Sequence, residues 1–298
     1  MKTEIKPSRT IILTLSILSF ITYFSGIIRH DIPENKYLRL AKQKQFDCVG
    51  QIFTGTSGGS CILITDKFVL SAAHIFLDSD TKTDTLKMDG KSMITFSPLN
   101  IRVTDVSKIY ILIKGQKVKA KKLTLHPAYL DSLTKGSCDI ALIELEQPLK
   151  NILPAKLNTA FDELNSNVVG VGYGVSGPAD RPDLVAPHNK KIAGENVVDS
   201  LSGAKYSGYE TLMLCDLDHP SKQECNKMGS SQPKPLEYVC SGGDSGGGLF
   251  RQKNNTWELI GVCSGSNVDI TILMKTGYYG QTMRWTRVSL FTEWINQQ

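Results

Sequence analysis

The stretch Val239-Cys-Ser-Gly-Gly-Asp-Ser-Gly-Gly-Gly248 decides how this chain is read. Ser245 stands between an acid and three glycines. Glycine backbone makes the tight turn from which a hydroxyl protrudes, and lets neighbouring N–H groups converge on one point. Acyl transfer needs both together: an exposed nucleophile, and donors aimed at the oxyanion that develops on a carbonyl. Gly243 and Ser245 are the expected donors. A glycine loop alone is more often a simple turn, so the reading depends on what else the chain supplies.

A base and an acid lie upstream. Ile62-Leu-Ile-Thr-Asp-Lys-Phe-Val-Leu70 reads as strand, turn, strand, with Asp66-Lys67 at the turn, and Ser71-Ala-Ala-His74 follows. His74 therefore falls just past a strand end, where two alanines leave room for an imidazole. Only five histidines occur in the chain. In Cys138-Asp-Ile-Ala-Leu-Ile-Glu-Leu145, Asp139 opens an apolar strand. A carboxylate there costs free energy unless a partner such as a histidine N–H takes up its charge. A surface histidine and an edge-strand acid are the plainer readings of each segment alone; the three segments together are far more specific.

The order His74, Asp139, Ser245 is that of the chymotrypsin type of triad. From about Ile27 to the C-terminus the chain resembles a trypsin/chymotrypsin-fold serine peptidase. Thr124-Leu-His-Pro-Ala-Tyr129, Val171-Gly-Tyr-Gly174, Leu259-Ile-Gly-Val262 and the ending Trp285-Thr-Arg-Val-Ser-Leu-Phe-Thr-Glu-Trp-Ile295 fall in the family's sequence order. Ile28 to Leu38, Ala193 to Asp199 and Cys215 to Pro220 resemble its secreted bacterial-type members. The resemblance implies an all-β fold of two six-stranded antiparallel β-barrels with a short C-terminal helix. It implies a serine endopeptidase with His74 as base, Asp139 as orienting acid and Ser245 as nucleophile. Gly243 and Ser245 would form the oxyanion hole, and Val239, Ser264 and Gly265 would line the substrate pocket. No cofactor and no metal is implied.

The chain also departs from the family. Ile75 and Gly59 stand where many members carry a disulfide beside the histidine, and Gly248 replaces a proline after the nucleophile loop. Gly242 looks like one extra residue. Val239 stands six residues before Ser245, where tryptic members have an aspartate, and Glu237 is two positions away. Tryptic cleavage is therefore not expected; an apolar or small side chain before the cut bond is. Met283 and Arg284 are bulky where relatives often have glycine. Asp244 is, in relatives, paired by a freshly cut ammonium terminus. Two readings stand here: removal of the leader frees Ile27 for that role, or an internal group holds Asp244.

A chain of 298 residues is long enough for one large or two joined cores. Short apolar runs between Gly, Pro, Asn and Asp dominate, and no long 3.6-residue period appears before the final residues. The passage between barrels is expected at Pro148 to Leu157, within 148–160. Lys2, Lys6 and Arg9 precede the apolar run Ile11 to Phe24, and Ser25-Gly26 follows, which reads as a secretory signal over residues 1–26. Extended to Ile28 the run is eighteen residues, enough for an uncleaved membrane anchor. Both readings export residues 27–298, to a secreted or periplasmic location. That remainder carries a net charge of +3 and suggests protein or peptide substrates, no nucleic acid, and a monomer. Lys114 to Lys122 reads as a solvated edge. Of seven cysteines, Cys215 and Cys225 make the best disulfide pair, and Cys240 with Cys263 a second candidate. The rival function, from a different class, is a catalytically weak or silent homologue that binds proteins in the same cleft.

Overall fold

Short β-branched and aromatic runs, cut by turn residues, form the framework. The computed structural model describes residues 25–298 apart from 56, 89–90, 130, 132–135, 182–188 and 267–276. It divides into two units: a ribbon over 77–104, and the rest of the described chain. The ribbon pairs Leu77–Met88 with Lys91–Val103 in antiparallel register. Within it Asp80 accepts from Asn100 (2.9 Å) and pairs with Arg102 (3.1 Å).

In the larger unit, Val49–Phe53, Gly58–Leu63, Phe68–Ser71, Ala141–Leu145, Gln116–Leu125 and Tyr110–Ile113 follow one another round a closed antiparallel barrel. Strand Gln116–Leu125 puts Lys117, Lys119 and Lys121 in solvent and Ala120 inside, so the basic cluster is a solvated strand face. The second body is an eight-stranded sheet. It runs Ile192–Val197, Asn167–Gly172, Gly248–Lys253, Thr256–Ser266, Thr282–Arg287, Tyr209–Asp216, Ser200–Tyr206, with Lys156–Leu157 added in parallel. Where the first body closes by its ladder, Asn196 links the ends of the second, donating to the carbonyls of Asp216 (2.8 Å) and Tyr238 (2.9 Å). The fold is thus all-β, as expected, with one closed six-stranded barrel and more strands in its second half than the six expected.

Between the bodies, Ala155 N–H donates to Leu63 O on the first barrel (2.8 Å) while Lys156–Leu157 pairs with Glu258–Leu259 of the second. One apolar core spans both, holding Ile62, Leu70 and Ile143 together with Val171, Phe250 and Val262. The C-terminal helix Thr292–Asn296 is short, and His126 packs edge-on against Phe291 and Trp294. No helix among the described residues is long and apolar enough to cross a membrane. The leader or anchor falls almost wholly on residues 1–24, outside the described ones. At its end, Ser25–Ile28 lies between Val175–Pro178 and Tyr238–Val239.

The expected Cys215–Cys225 bridge is not formed, and all seven cysteines are free thiols. Cys215 faces the core from a strand, opposite Met283, whereas Cys225 sits half-exposed in a 3-10 turn at that core's rim. Chain spacing suggested the pair, but strand pleat decides where a side chain points.

Four carboxyl groups meet beneath the second sheet. Asp199, Asp218 and Glu237 line a cavity of about 110 Å³, and Asp216 adjoins it. Burial first, then neighbouring negative charge, pushes Asp218 up to about 7 and Glu237 up to about 9. Glu237 also accepts the Lys234 N–H. Both groups hold protons in the folded state that the unfolded chain has released by about pH 5. Their contribution to stability is therefore full at low pH and is lost as pH rises through 7 and then 9. The melting temperature should fall between pH 6 and pH 9, and fall less in Glu237→Gln; equal slopes in calorimetry would contradict this.

Candidate active site

Each element delivers one member of the site. The strand Phe68–Ser71 ends at a 3-10 turn, Ala73–Phe76, which presents His74. Asp139 lies just before Ala141–Leu145, a strand that pairs with Phe68–Ser71, so strand pairing brings acid and base together. His74 Nδ1 is 2.7 Å from Asp139 Oδ2, and the His74 backbone N–H donates to Asp139 Oδ1 (2.9 Å). On its other side, His74 Nε2 is 2.9 Å from Ser245 Oγ. The side chain of Asp139 is 3 % exposed and that of His74 33 %, so the acid is dry while the imidazole borders solvent.

Ser264 enters this group unannounced. Expected as a pocket wall, it donates its hydroxyl to Asp139 Oδ2 at 2.6 Å. Thr286 Oγ1 donates to the Asp139 carbonyl (3.0 Å). Burial would raise the Asp139 pKa, but the His74 charge and these hydrogen bonds outweigh it and hold the carboxyl below its ordinary value. For His74, burial lowers the pKa, and the Asp139 charge and hydrogen bond overturn that and raise it.

The nucleophile loop is clamped on both sides. Ser60 N–H donates to the Ser245 carbonyl (2.7 Å) and Ser60 Oγ to the Gly243 carbonyl (2.9 Å), fixing the loop against the first barrel. Gly243 and Gly246 have φ of +92° and +82°, where only glycine is comfortable. A Cβ on Gly246 would lie 2.2 Å from Ser71 Oγ and from the Ser60 carbonyl, so no larger residue fits. Among the described residues, neither the Gly243 nor the Ser245 N–H has an acceptor. Both can therefore face an oxyanion.

Asp244, next to the nucleophile, is 2 % exposed and has four internal donors. They are Tyr238 O–H (2.6 Å), Gly174 N–H (2.7 Å), Ser241 N–H (3.0 Å) and, longest, Ser241 O–H (3.5 Å). Burial pushes its pKa up to about 6, and these hydrogen bonds, Tyr238 foremost, limit the rise. Ile27 is itself inside a strand, paired with Val239. In the uncut chain, Asp244 is thus held by internal groups. Neither partner position nor chemistry marks Tyr238 in the sequence; only its place two residues before Cys240 could have drawn attention.

Among the described residues named for the pocket, none is an accessible acid. Val239 is fully buried in the second core, and Met283 is buried with its sulfur accepting the Cys240 N–H (3.3 Å). Glu237 turns away into the acidic cavity. Among the described residues no group of acids, cysteines and histidines is disposed to hold a metal ion.

Comparison with known proteins agrees with this geometry. The chain is 26 % identical over 292 residues to Phenoloxidase-activating factor 3 of Holotrichia diomphalia, covering 90 % of this chain and 70 % of that protein. The sequence profile of the family described as Trypsin matches residues 39–295, nearly the whole of the two-barrel body. A match of that extent, over a fold of this topology, places the chain in the trypsin family.

Proposed function

We propose that the protein is an exported serine endopeptidase that cleaves protein or peptide substrates through an acyl-enzyme. The observation that carries this reading is the unbroken hydrogen-bonded series Asp139, His74, Ser245, closed by a nucleophile loop with two free N–H groups. Ser245 Oγ attacks the scissile carbonyl as His74 Nε2 takes its proton, and Asp139 holds the imidazole tautomer and stabilises the imidazolium. The N–H groups of Gly243 and Ser245 receive the oxyanion. His74 then returns its proton to the leaving amine and, as base again, activates the water that releases the acyl group. Residues 1–26 support export, either as a cleaved signal or as an anchor. A silent homologue that only binds in this cleft would have no need of all three groups in hydrogen-bonding register.

The internal donors to Asp244 support activity without a newly cut N-terminus. The loop that carries the oxyanion donors depends on this carboxylate, so losing a donor should relax it. Tyr238→Phe should lower kcat by about ten- to a hundredfold, the scale of a hydrogen bond to a charged group, in a protein that still melts cooperatively. An unchanged kcat would remove Tyr238 from the account.

A phosphonate directed at active serines should label Ser245 alone, as mapped by mass spectrometry. Ser245→Ala should abolish labelling, and Asp139→Asn should lower turnover on the order of 10⁴-fold. Label elsewhere, or none on folded protein, would favour the silent homologue. The pH profile gives a separate check. The base must be neutral, and its pKa is raised above the ordinary 6.5. The acid limb of kcat/KM should therefore have its midpoint above pH 6.5; a midpoint below it would mean that Asp139 does not support the imidazolium.

A further inference from the structure

Arg284 is a half-buried cation in the second body with no carboxylate partner among the described residues. It lies on strand Thr282–Arg287, opposite Gly265 of strand Thr256–Ser266, where the register shifts between Cys263 and Gly265. That irregularity turns Ser264 toward Asp139 and leaves Gly265 beside the guanidinium. A Cβ built on Gly265 would stand 3.5 Å from Arg284 Nη2, so the planar head rests over bare glycine backbone next to the triad. Its charge is felt at His74, where it opposes the rise caused by Asp139.

The donor inventory of this arginine is unmet. Arg284 Nε is buried without a hydrogen-bond partner, as are the Nε atoms of Arg251 and Arg287. What sets Arg284 apart is the missing carboxylate: Arg29, Arg251 and Arg287 hold Asp31, Asp162 and Glu163 at 2.7, 2.5 and 2.7 Å. A guanidinium partly removed from water and left without an acceptor is costly, and a carboxylate offers the planar, two-point partner that fits it. Among the described residues the groups around it supply none: Val239 and Met283 are apolar, and Glu237 faces the acidic cavity. A basic substrate side chain at the same place would meet a like charge.

We propose that Arg284 selects substrates bearing an aspartate or glutamate side chain in the cleft beside Gly265. This rests on the peptidase reading of the cleft and names the substrate class for it. The selection is by ion pairing at one subsite and involves no new chemical step.

A peptide library digested by the purified protein, with cut sites read by mass spectrometry, tests this. Acidic residues should be enriched at one fixed position relative to the cleaved bond, by about ten- to a hundredfold in kcat/KM over neutral residues. Arg284→Gln should lose that enrichment, and Arg284→Glu should replace it with Lys and Arg at the same position. No acidic enrichment, or enrichment unchanged by charge reversal, overturns the proposal. Binding separates this from the peptidase reading. Ser245→Ala, which cannot turn over, should bind fluorescent acidic decapeptides about tenfold or more tighter than neutral ones, and Arg284→Glu in that background should reverse the order. Equal binding of acidic and neutral decapeptides overturns the role of Arg284. Absence of cleavage or of Ser245 labelling, with acidic binding retained, overturns the peptidase reading alone.

Discussion

A single buried carboxylate, Asp244, fixes the shape on which the rest of the site depends. Its oxygens lie so close to Gly172 and Gly174 that a Cβ on either would approach within 2.4 Å of it. The strand-end glycines, the Tyr238 hydroxyl and the Ser241 N–H therefore form one mould around one charge. With Asp244 seated, Gly243 takes its left-handed conformation and Ser245 comes within reach of His74. Without compensation a buried anion of this kind costs several kcal/mol. Its four donors are the local offset, and the site is bound to the second body through them.

The same logic recurs elsewhere in this interior. Asp139 is made tolerable by His74, Ser264 and a backbone N–H. Glu163 is fully buried against Arg287 and also accepts from Ser289 (2.5 Å), tying the segment after the barrel junction to the C-terminal strand. Truncating one partner of such a pair costs about 3–5 kcal/mol, because the other charge stays behind. Where burial and neighbouring negative charge outweigh the donors within reach, as at Glu237 and Asp218, the groups hold their protons to higher pH instead. The second body thus sorts its acids by the donors within reach.

Much of this was legible in the sequence. The nucleophile loop, His74 and Asp139 each carry a local signature, and strand patterning is enough to bring them together because neighbouring strands deliver them. What escaped depends on long-range register. Ser264 serves Asp139 because of a bulge at Cys263 and Gly265, which no spacing reveals. Tyr238 reaches Asp244 across a fold in the loop. The disulfide expectation failed for the same reason: ten residues of separation along the chain say nothing about which face of strand Tyr209–Asp216 carries Cys215. In the ribbon over 77–104 the first strand, Leu77–Met88, is almost wholly polar, and only the second alternates, at Leu99-Asn-Ile-Arg-Val103.

The free thiols give the molecule an internal clock. Six of the seven cysteines are buried. Burial pushes Cys48 up to about 12 and Cys138 up to about 11, away from the thiolate that reacts with alkylating agents and oxidants. In the folded protein these sulfurs behave as small hydrophobes, and in the opened chain they become ordinary nucleophiles. Alkylation of each cysteine therefore times the opening of the core around it. The chain carries its own position-resolved record of where it loosens first.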